Sequence, residues 1–259
     1  MGDVLVLCYH AVSPTWTASF SVTPDMLERQ LSRLARAGWK GATFTDAVLQ
    51  PTAARTLAVT FDDGFASVLE VAEPILTSLG LPGTVFAPTG FMSRRQELHW
   101  EGIEAWLGTP HEQELRCMSW DDLGQLADRG WEIGSHTHKH PHLPTLTDEQ
   151  LRDELRGSFE QCSSHLGRPC RSIAYPYGDV DTRVAAVTRE VGYQTGACLS
   201  HSLVPLGPHL WPRVGIWHHD SEPRFRLKVS PLTRSARASR LGPGLGRALR
   251  WWTRGHPQT

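Results

Sequence analysis

The chain has 259 residues, of which 40% are hydrophobic and 20% charged; this composition is typical of a soluble globular protein and is enough for one large domain. It contains no run of about 18 apolar residues, so we predict no membrane-spanning helix. The formal net charge is −1, and the basic residues near the C-terminus come without a nucleic-acid-binding motif, so we expect no nucleic-acid partner.

Strand-like and helix-like patterns alternate along most of the chain. We predict strands at 4–10, 56–61, 83–88, 131–136, 172–178 and 193–199, and helices at 24–38, 67–80, 119–130, 147–167 and 182–192. Such alternation indicates a mostly parallel sheet, in which ligand sites lie at the carboxyl ends of the strands. Residues 91–118 interrupt the alternation, and we expect them to form an insertion that covers one rim.

The second predicted strand ends at two adjacent carboxylates, Asp62 and Asp63. Before them Leu57, Val59 and Phe61 alternate with smaller residues, a pattern that indicates a buried strand. Two like charges beside a core are costly unless something neutralises them. A metal ion would do so, as would a division of labour in which one carboxylate binds a cation and the other moves a proton. A turn or helix-capping pair is the alternative.

A histidine-rich segment follows the strand at 131–136. It reads "HTHKHPHL" and contains His136, His138, His140 and His142. A helical turn after the strand would place His136 and His140 on one face, about 5–6 Å apart, where they could bind one ion. Two imidazoles and one carboxylate are typical of a catalytic rather than a structural zinc site, and a solvated loop is the alternative. We expect His138 and His142 to be exposed or to support the ligands.

Three motifs together resemble those of a known family. "TFDDG" at 60–64, "EIGSHTHKHPHL" at 132–143 and "YPYG" at 175–178 are similar in order and spacing to the motifs of the polysaccharide deacetylase family, the NodB-homology domain of carbohydrate esterase family 4. The resemblance covers roughly residues 1–220. It implies an α/β fold, a distorted (β/α) barrel of mostly parallel strands, and metal-dependent removal of acetyl groups, usually N-linked, from amino-sugar polymers or glycoconjugates.

The resemblance also implies roles for individual residues. Asp62 matches the general base, and Tyr177 matches the residue whose backbone N–H helps to bind the oxyanion. Asp63, His136 and His140 match the ligands of the metal, which we expect to be Zn²⁺ or another divalent transition metal. Such a metal polarises the acetyl carbonyl and a water molecule, and a general acid protonates the departing amine.

The sequence departs from the family pattern in three respects, one of which is that the Asp–Trp motif expected after "YQTGACLSH" is not evident. Ala174 stands where the family usually has an arginine that orients the base, so the residue that orients Asp62 is left open. The late motif that usually supplies the general acid is not evident. His10 and His218 are the candidates, and we favour His10 because some members with a "YH" strand end place the acid there. A core-edge histidine without a catalytic role is the alternative for His10.

Three functional hypotheses remain open. The first is a zinc-dependent deacetylase whose substrate is an N-acetylated carbohydrate, either a polysaccharide or a glycoconjugate. The second is a deacetylase or amidase that acts on a small molecule or a lipid-linked sugar, and the third is a degenerate module that binds carbohydrate or scaffolds a partner without turnover. Trp100 and Trp106 in the insertion are candidates for sugar stacking, although tryptophans more often pack in a core or rim.

The C-terminal segment is electrostatically distinct. Nine Lys or Arg residues and no acid follow Glu222, whereas the preceding part has 17 basic and 27 acidic residues. We therefore predict a catalytic domain over 1–229 and a basic tail over 230–259. Leucines and Trp252 recur in the tail at near-helical spacing, which favours peripheral contact with anionic lipid; a disordered solubilising tail is the alternative.

The cysteines and the N-terminus bear on location. The five cysteines are scattered and odd in number, which argues for reduced thiols that fill the core rather than a disulfide framework. The opening "MGDVLVLCYH" lacks the features of a signal peptide. We therefore predict a cytoplasmic location, either free or peripheral at the inner face of the membrane.

Overall fold

Strands and helices alternate along the chain as the pattern predicts. In the computed structural model, which describes residues 2–92, 97–200 and 202–238, the strands are β1 (Asp3–Tyr9), β2 (Ala11–Val12), β3 (Ser21–Val22), β4 (Lys40–Ala42), β5 (Arg55–Phe61), β6 (Gly83–Ala87), β7 (Glu132–Ser135), β8 (Ser172–Ala174), β9 (Thr195–Cys198), β10 (Trp211–Pro212) and β11 (Val214–Gly215). The α-helices are α1 (Pro24–Arg36), α2 (Phe44–Leu49), α3 (Glu73–Ser78), α4 (Trp120–Asp128), α5 (Asp148–Leu166), α6 (Thr182–Val191), α7 (Glu222–Val229) and α8 (Pro231–Ala238).

The main sheet is a parallel sheet of nine strands. Its order is β10-β9-β8-β7-β6-β5-β1-β11, and β4 pairs with β5 beside this path. The two ends of the path, β10 and β11, are separated along the chain only by Arg213. The sheet therefore curls into a nearly closed barrel, which confirms the predicted distorted α/β barrel. All strands point the same way, so their carboxyl ends lie together at one rim.

The helices begin where the sequence places capping residues. The Thr23 hydroxyl accepts a hydrogen bond from the Met26 N–H at the start of α1. Ser119 and Thr147 form complete capping boxes at the starts of α4 and α5. Each of these helices buries an apolar stripe; in α1 it consists of Leu27, Leu31 and Leu34.

The helix predicted at 67–80 is interrupted. Residues Val68–Ala72 form a π-helical turn, and α3 begins only at Glu73. Pro74 has no backbone N–H to donate. The Glu73 N–H donates to the Val68 carbonyl five residues back instead of four, so the backbone hydrogen bonds follow the π-helical pattern just before α3. The strand predicted at 172–178 also ends early, because Pro176 cannot donate to the ladder and Tyr177 has φ 58°.

The predicted insertion is attached to the loop that follows β5. Glu97 pairs with Arg116 and Phe65 with Cys117 in antiparallel bridges. The Met118 N–H also donates to the Gly64 carbonyl at 2.9 Å. Two 3-10 turns, Glu104–Trp106 and Glu112–Leu115, lie between the two arms of the insertion. This segment therefore covers the rim where the strands end, as expected.

The last described helix, α8, packs at the opposite end of the barrel. Arg234 in α8 pairs with Asp3 at the start of β1, with an Nη2–Oδ1 distance of 2.6 Å. The described fold thus continues past residue 229, and the domain division stays a prediction because residues 239–259 lie outside the described residues. None of the described helices has the length and apolar character that crossing a bilayer requires. The five cysteines are buried free thiols, consistent with core filling.

Candidate functional site

Asp62 and Asp63 leave the end of β5 in different directions. The Asp62 N–H donates to the Tyr9 carbonyl at 3.0 Å, so Asp62 continues the pairing of β5 with β1. Asp63 and Gly64 then adopt left-handed backbone conformations, with φ 70° and 68°. Such values are unusual for a residue other than glycine. This turn separates the two carboxylates, although they are adjacent in the sequence.

Asp63 lies against two histidine side chains. Its Oδ1 atom is 3.3 Å from Nε2 of His136 and 3.4 Å from Nε2 of His140. All three side chains are buried. The two imidazole rings lie 4.8 Å apart. The structure therefore brings together the three residues that the sequence predicts as metal ligands.

The backbone that carries the histidines differs from the expected helical turn. His136 follows β7 directly, and Thr137 and His140 have left-handed φ values of 67° and 62°. Pro141 disfavours the right-handed helical region at the residue before it, which explains why no helical turn forms. Two local hydrogen bonds hold the loop: Thr137 N–H donates to Ser135 Oγ and His140 N–H to Thr137 Oγ1.

The contact of His136 Nδ1 with a carbonyl determines what its Nε2 presents to Asp63. Its Nδ1 lies 2.8 Å from the Ala174 carbonyl, which can only accept, so the proton is assigned to Nδ1. A neutral ring then directs the Nε2 lone pair at the Asp63 carboxylate, so two acceptors face each other. Either an extra proton or a metal ion resolves this conflict.

The donor set fits a divalent transition metal. One atom each from Asp63, His136 and His140 lies within 4.8 Å of the other two, and a carboxylate with two imidazoles is a common ligand set for zinc. Burial would raise the pKa of Asp63, but the close contacts with His136 and His140 outweigh it and hold this pKa well below its ordinary value. Asp63 is therefore ionised and suited to ligating a cation.

Asp62 is held by a buried arginine. Arg213 donates from Nη1 to Oδ1 at 2.6 Å and from Nη2 to Oδ2 at 2.7 Å, a bidentate ion pair. Burial would raise the pKa of Asp62, but the Arg213 guanidinium, followed by His136, lowers it below its ordinary value. The Cys8 Sγ also lies 3.4 Å from Oδ2. Asp62 is therefore an oriented, ionised carboxylate beside the candidate metal centre.

Arg213 is the functional residue that the sequence analysis missed. It occupies the one-residue gap between β10 and β11, where the barrel closes, and it also donates to Thr60 Oγ1 at 3.0 Å. Its signal in the sequence is an arginine inside the otherwise apolar run "LWPRVGIW". A charge in such a run requires a partner when it is buried. The sequence does not say which acid that partner is.

Of the two candidate acids, His10 lies at the site. One of its ring nitrogens is within 4.8 Å of an Asp62 oxygen, and its ring stacks on Trp217 at 5.5 Å. Burial lowers the pKa of His10, and this effect outweighs the opposing attraction of Asp63 and Asp62. The Nδ1 of His218 instead contacts the Ser21 carbonyl at 3.0 Å, in the small β2–β3 sheet.

Tyr177 follows β8 with a left-handed backbone, φ 58°. Its ring stacks on His142 at 3.9 Å and meets His140 edge-on at 4.7 Å, so it borders the candidate centre.

The Nδ1 of His142 contacts Asp179 at 2.8 Å, and that of His138 contacts Thr89 at 3.1 Å. Both histidines thus bond to neighbouring residues outside the cluster of Asp63, His136 and His140.

The two tryptophans of the insertion have different surroundings. Trp100 is 9% exposed and stacks on His140. Trp106 packs edge-on against Trp16, with ring centroids 5.5 Å apart. Trp100 therefore has little free face for sugar stacking.

Comparisons with known proteins show which family this chain resembles. The sequence profile described as polysaccharide deacetylase matches residues 49–196. The putative polysaccharide deacetylase YxkH of Bacillus subtilis is 24% identical over 196 residues, which are 74% of this chain and 62% of that protein. The poly-beta-1,6-N-acetyl-D-glucosamine N-deacetylase of Staphylococcus aureus (strain MRSA252) is 24% identical over 159 residues, which are 58% of this chain and 50% of that protein.

A solved structure shares the fold. The Streptococcus pyogenes deacetylase PplD in complex with acetate superposes with a TM-score of 0.72 at 21% identity, covering 88% of this chain and 99% of that one. The chain spans less than two thirds of the length of the two curated relatives above. These comparisons establish the family and the fold.

Proposed function

This chain belongs to the polysaccharide deacetylase family, and we propose that it is a metal-dependent hydrolase. In this proposal it removes N-acetyl groups from a polysaccharide or glycoconjugate that contains an amino sugar. The metal is Zn²⁺ or another divalent transition metal, and its ligands are Asp63, His136 and His140.

One observation carries the proposal. The Nε2 atoms of two buried histidines converge on a single oxygen of Asp63, at 3.3 and 3.4 Å, while the Nδ1 of His136 is committed to a carbonyl. Bound there, a divalent metal would supply Lewis-acid polarisation of the acetyl carbonyl and would acidify water. The neighbouring Asp62 stays free of this cluster because Arg213 engages it.

The remaining residues supply proton transfer and orientation. Asp62 accepts a proton from the water that attacks the acetyl carbon, and Arg213 keeps its carboxylate ionised and aimed. The backbone N–H of Tyr177 donates to the oxyanion that develops on the substrate. His10 gives a proton to the departing amine; burial lowers the pKa of His10 in spite of the two nearby carboxylates, which favours release of that proton.

The names of the relatives support the substrate class. The Staphylococcus aureus relative is named as a deacetylase of poly-beta-1,6-N-acetyl-D-glucosamine, and a shorter match is named chitin deacetylase. Both substrates are polymers of an N-acetylated amino sugar. Oligomers of this class are therefore the first substrates to test.

The test measures metal binding and acetate release separately. We expect the purified protein to bind about one Zn²⁺ per chain and, when loaded, to release acetate from N-acetylglucosamine oligomers with β-1,6 or β-1,4 linkages. Asp63→Asn should lose both properties. Metal binding without acetate release from a broad panel would favour a non-catalytic binding module, and absence of metal binding would refute the proposed centre.

Peripheral membrane contact through the basic tail is a separate proposal. It rests on the sequence, because residues 239–259 lie outside the described residues. Deletion of these residues should abolish cosedimentation with anionic phosphatidylserine vesicles and leave that with neutral phosphatidylcholine vesicles unchanged. Equal cosedimentation of both forms would favour a solubilising tail. The cytoplasmic location likewise stays a prediction.

A further inference from the structure

The two histidines of the candidate centre are held in different ways. His136 has its Nδ1 bonded to the Ala174 carbonyl at 2.8 Å, which fixes both the tautomer and the ring. The Nδ1 of His140 is buried and has no hydrogen-bond partner among the described residues. A metal-binding histidine usually donates from its second nitrogen to an acceptor that orients the ring. Another contact must therefore orient His140.

Trp100 provides that contact. Its indole ring stacks on the His140 imidazole, with centroids 4.2 Å apart and planes inclined by 22°. Tyr177 meets the same imidazole edge-on at 4.7 Å. Stacking restricts rotation of the imidazole about its Cβ–Cγ bond, which is the motion that a hydrogen bond at Nδ1 would otherwise restrict. An imidazole that ligates a cation gains positive character, which the face of an indole stabilises.

The insertion holds Trp100 firmly in this position. Leu98, two residues before it, is fully buried and donates its N–H to the Leu115 carbonyl at 2.9 Å. The returning arm of the insertion bonds Gly64, the residue that follows Asp63. Phe91 packs edge-on against the indole at 5.4 Å. The segment that carries Trp100 is thus attached to the loop that carries the Asp63 ligand.

We propose that Trp100 is a positioning residue that orients His140 for metal binding. This inference rests on the proposed function, since it concerns the same centre. It assigns to the insertion a role in completing the metal site as well as in covering the rim. It also predicts that the aromatic face of Trp100, rather than its volume alone, is what matters.

The experiment compares three variants for Co²⁺ binding, followed by the visible absorption of the bound ion and by calorimetry. Trp100→Leu removes the aromatic face, and Trp100→Phe keeps a smaller one. Trp106→Leu is the matched control, because Trp106 lies in the same insertion but contacts Trp16 and His111 instead of a proposed ligand. Thermal unfolding of the metal-free proteins reports any general loss of structure.

We expect Trp100→Leu to weaken Co²⁺ binding by about 10- to 100-fold, the usual cost of losing a group that orients a ligand. The spectrum of its bound ion should change, Trp100→Phe should recover part of the affinity, and Trp106→Leu should bind as the wild type does. Equal affinities of Trp100→Leu and Trp106→Leu would overturn the inference. If Trp100→Leu does not fold, the non-aromatic variant Trp100→Met takes its place, and wild-type affinity in that variant would overturn the inference. A wild-type protein that binds no metal would instead refute the proposed function.

Discussion

The two adjacent carboxylates at the end of β5 lie in contrasting surroundings. Asp62 faces a guanidinium that belongs to the protein, with both oxygens engaged at 2.6 and 2.7 Å. Asp63 faces two imidazole nitrogens, both at one of its oxygens. A guanidinium is a permanent cation, whereas two neutral imidazoles present lone pairs to a cation that comes from outside.

This contrast explains how neighbouring identical residues can take different roles. One carboxylate is neutralised by Arg213 and needs no metal, so its oxygens can serve proton transfer. The other lies against two histidines, where a cation would complete the centre that we propose. The left-handed turn at Asp63 and Gly64 ends the extended strand, so both side chains stay at the rim instead of pointing to opposite faces of the sheet. Each of the following predictions perturbs one side of this contrast.

The largest expected effect is on turnover in Asp62→Asn. The amide cannot accept the proton of the attacking water, so we expect kcat to fall by about 10²- to 10⁴-fold. Zinc content, measured by atomic absorption, should stay near that of the wild type because Asp63, His136 and His140 are unchanged. Loss of zinc from Asp62→Asn together with its retention in Asp63→Asn would reverse the two roles.

The next effect is on stability when Arg213 is replaced by methionine. Methionine retains packing against Phe86, over whose ring the guanidinium lies at 5.4 Å, but it leaves the buried Asp62 charge unpaired. We expect the free energy of unfolding in urea to fall by about 3–5 kcal/mol.

The double variant Asp62→Asn/Arg213→Met serves as the control. It removes both charges, so it should recover much of the lost stability while remaining inactive. If the single and the double variant are equally destabilised, the ion pair is not the cause and packing around Arg213 is.

The local parts of the site could be predicted from the sequence. Asp62 and Asp63 are adjacent in one motif, and His136 and His140 lie within five residues of each other. The alternation of strands and helices predicts that both motifs reach the same rim. Their assembly there follows from the parallel sheet, and the structure places them as that argument requires.

Two features could not be predicted, because one depends on a contact between residues far apart in the sequence and the other on the backbone conformation of single residues. Arg213 meets Asp62 across 151 residues of chain, and only closure of the barrel between β10 and β11 brings them together. The spacing of His136 and His140 predicts a helical turn. Pro141 disfavours that turn, and Thr137 and His140 have left-handed backbone conformations instead. The first depends on tertiary closure and the second on steric exclusion at one residue.

A smaller effect is expected for His10→Ala. His10 lies at the Asp62 side of the site and contacts no proposed metal ligand in its ring stacking, so zinc content should not change. We expect kcat to fall by about 10²-fold, the lower end of the range for general acid–base residues, because water can reach this half-buried position and donate instead. His218→Ala, whose imidazole contacts the Ser21 carbonyl, is the control and should retain wild-type kcat. The opposite ranking would transfer the acid role to His218.

The smallest effect tests whether Arg213 alone orients Asp62. The Cys8 thiol donates to Oδ2 of Asp62 at 3.4 Å, and burial raises the pKa of this thiol, so it remains a donor. Cys8→Ala should cost about 1 kcal/mol of this orientation, which corresponds to about a fivefold fall in kcat. Cys8→Ser retains a hydroxyl donor at the same place and should stay close to the wild type. An equal fall in both variants would mean that the packing of the sulfur matters rather than its hydrogen bond, and no fall in either would leave Arg213 as the sole group that aims the base.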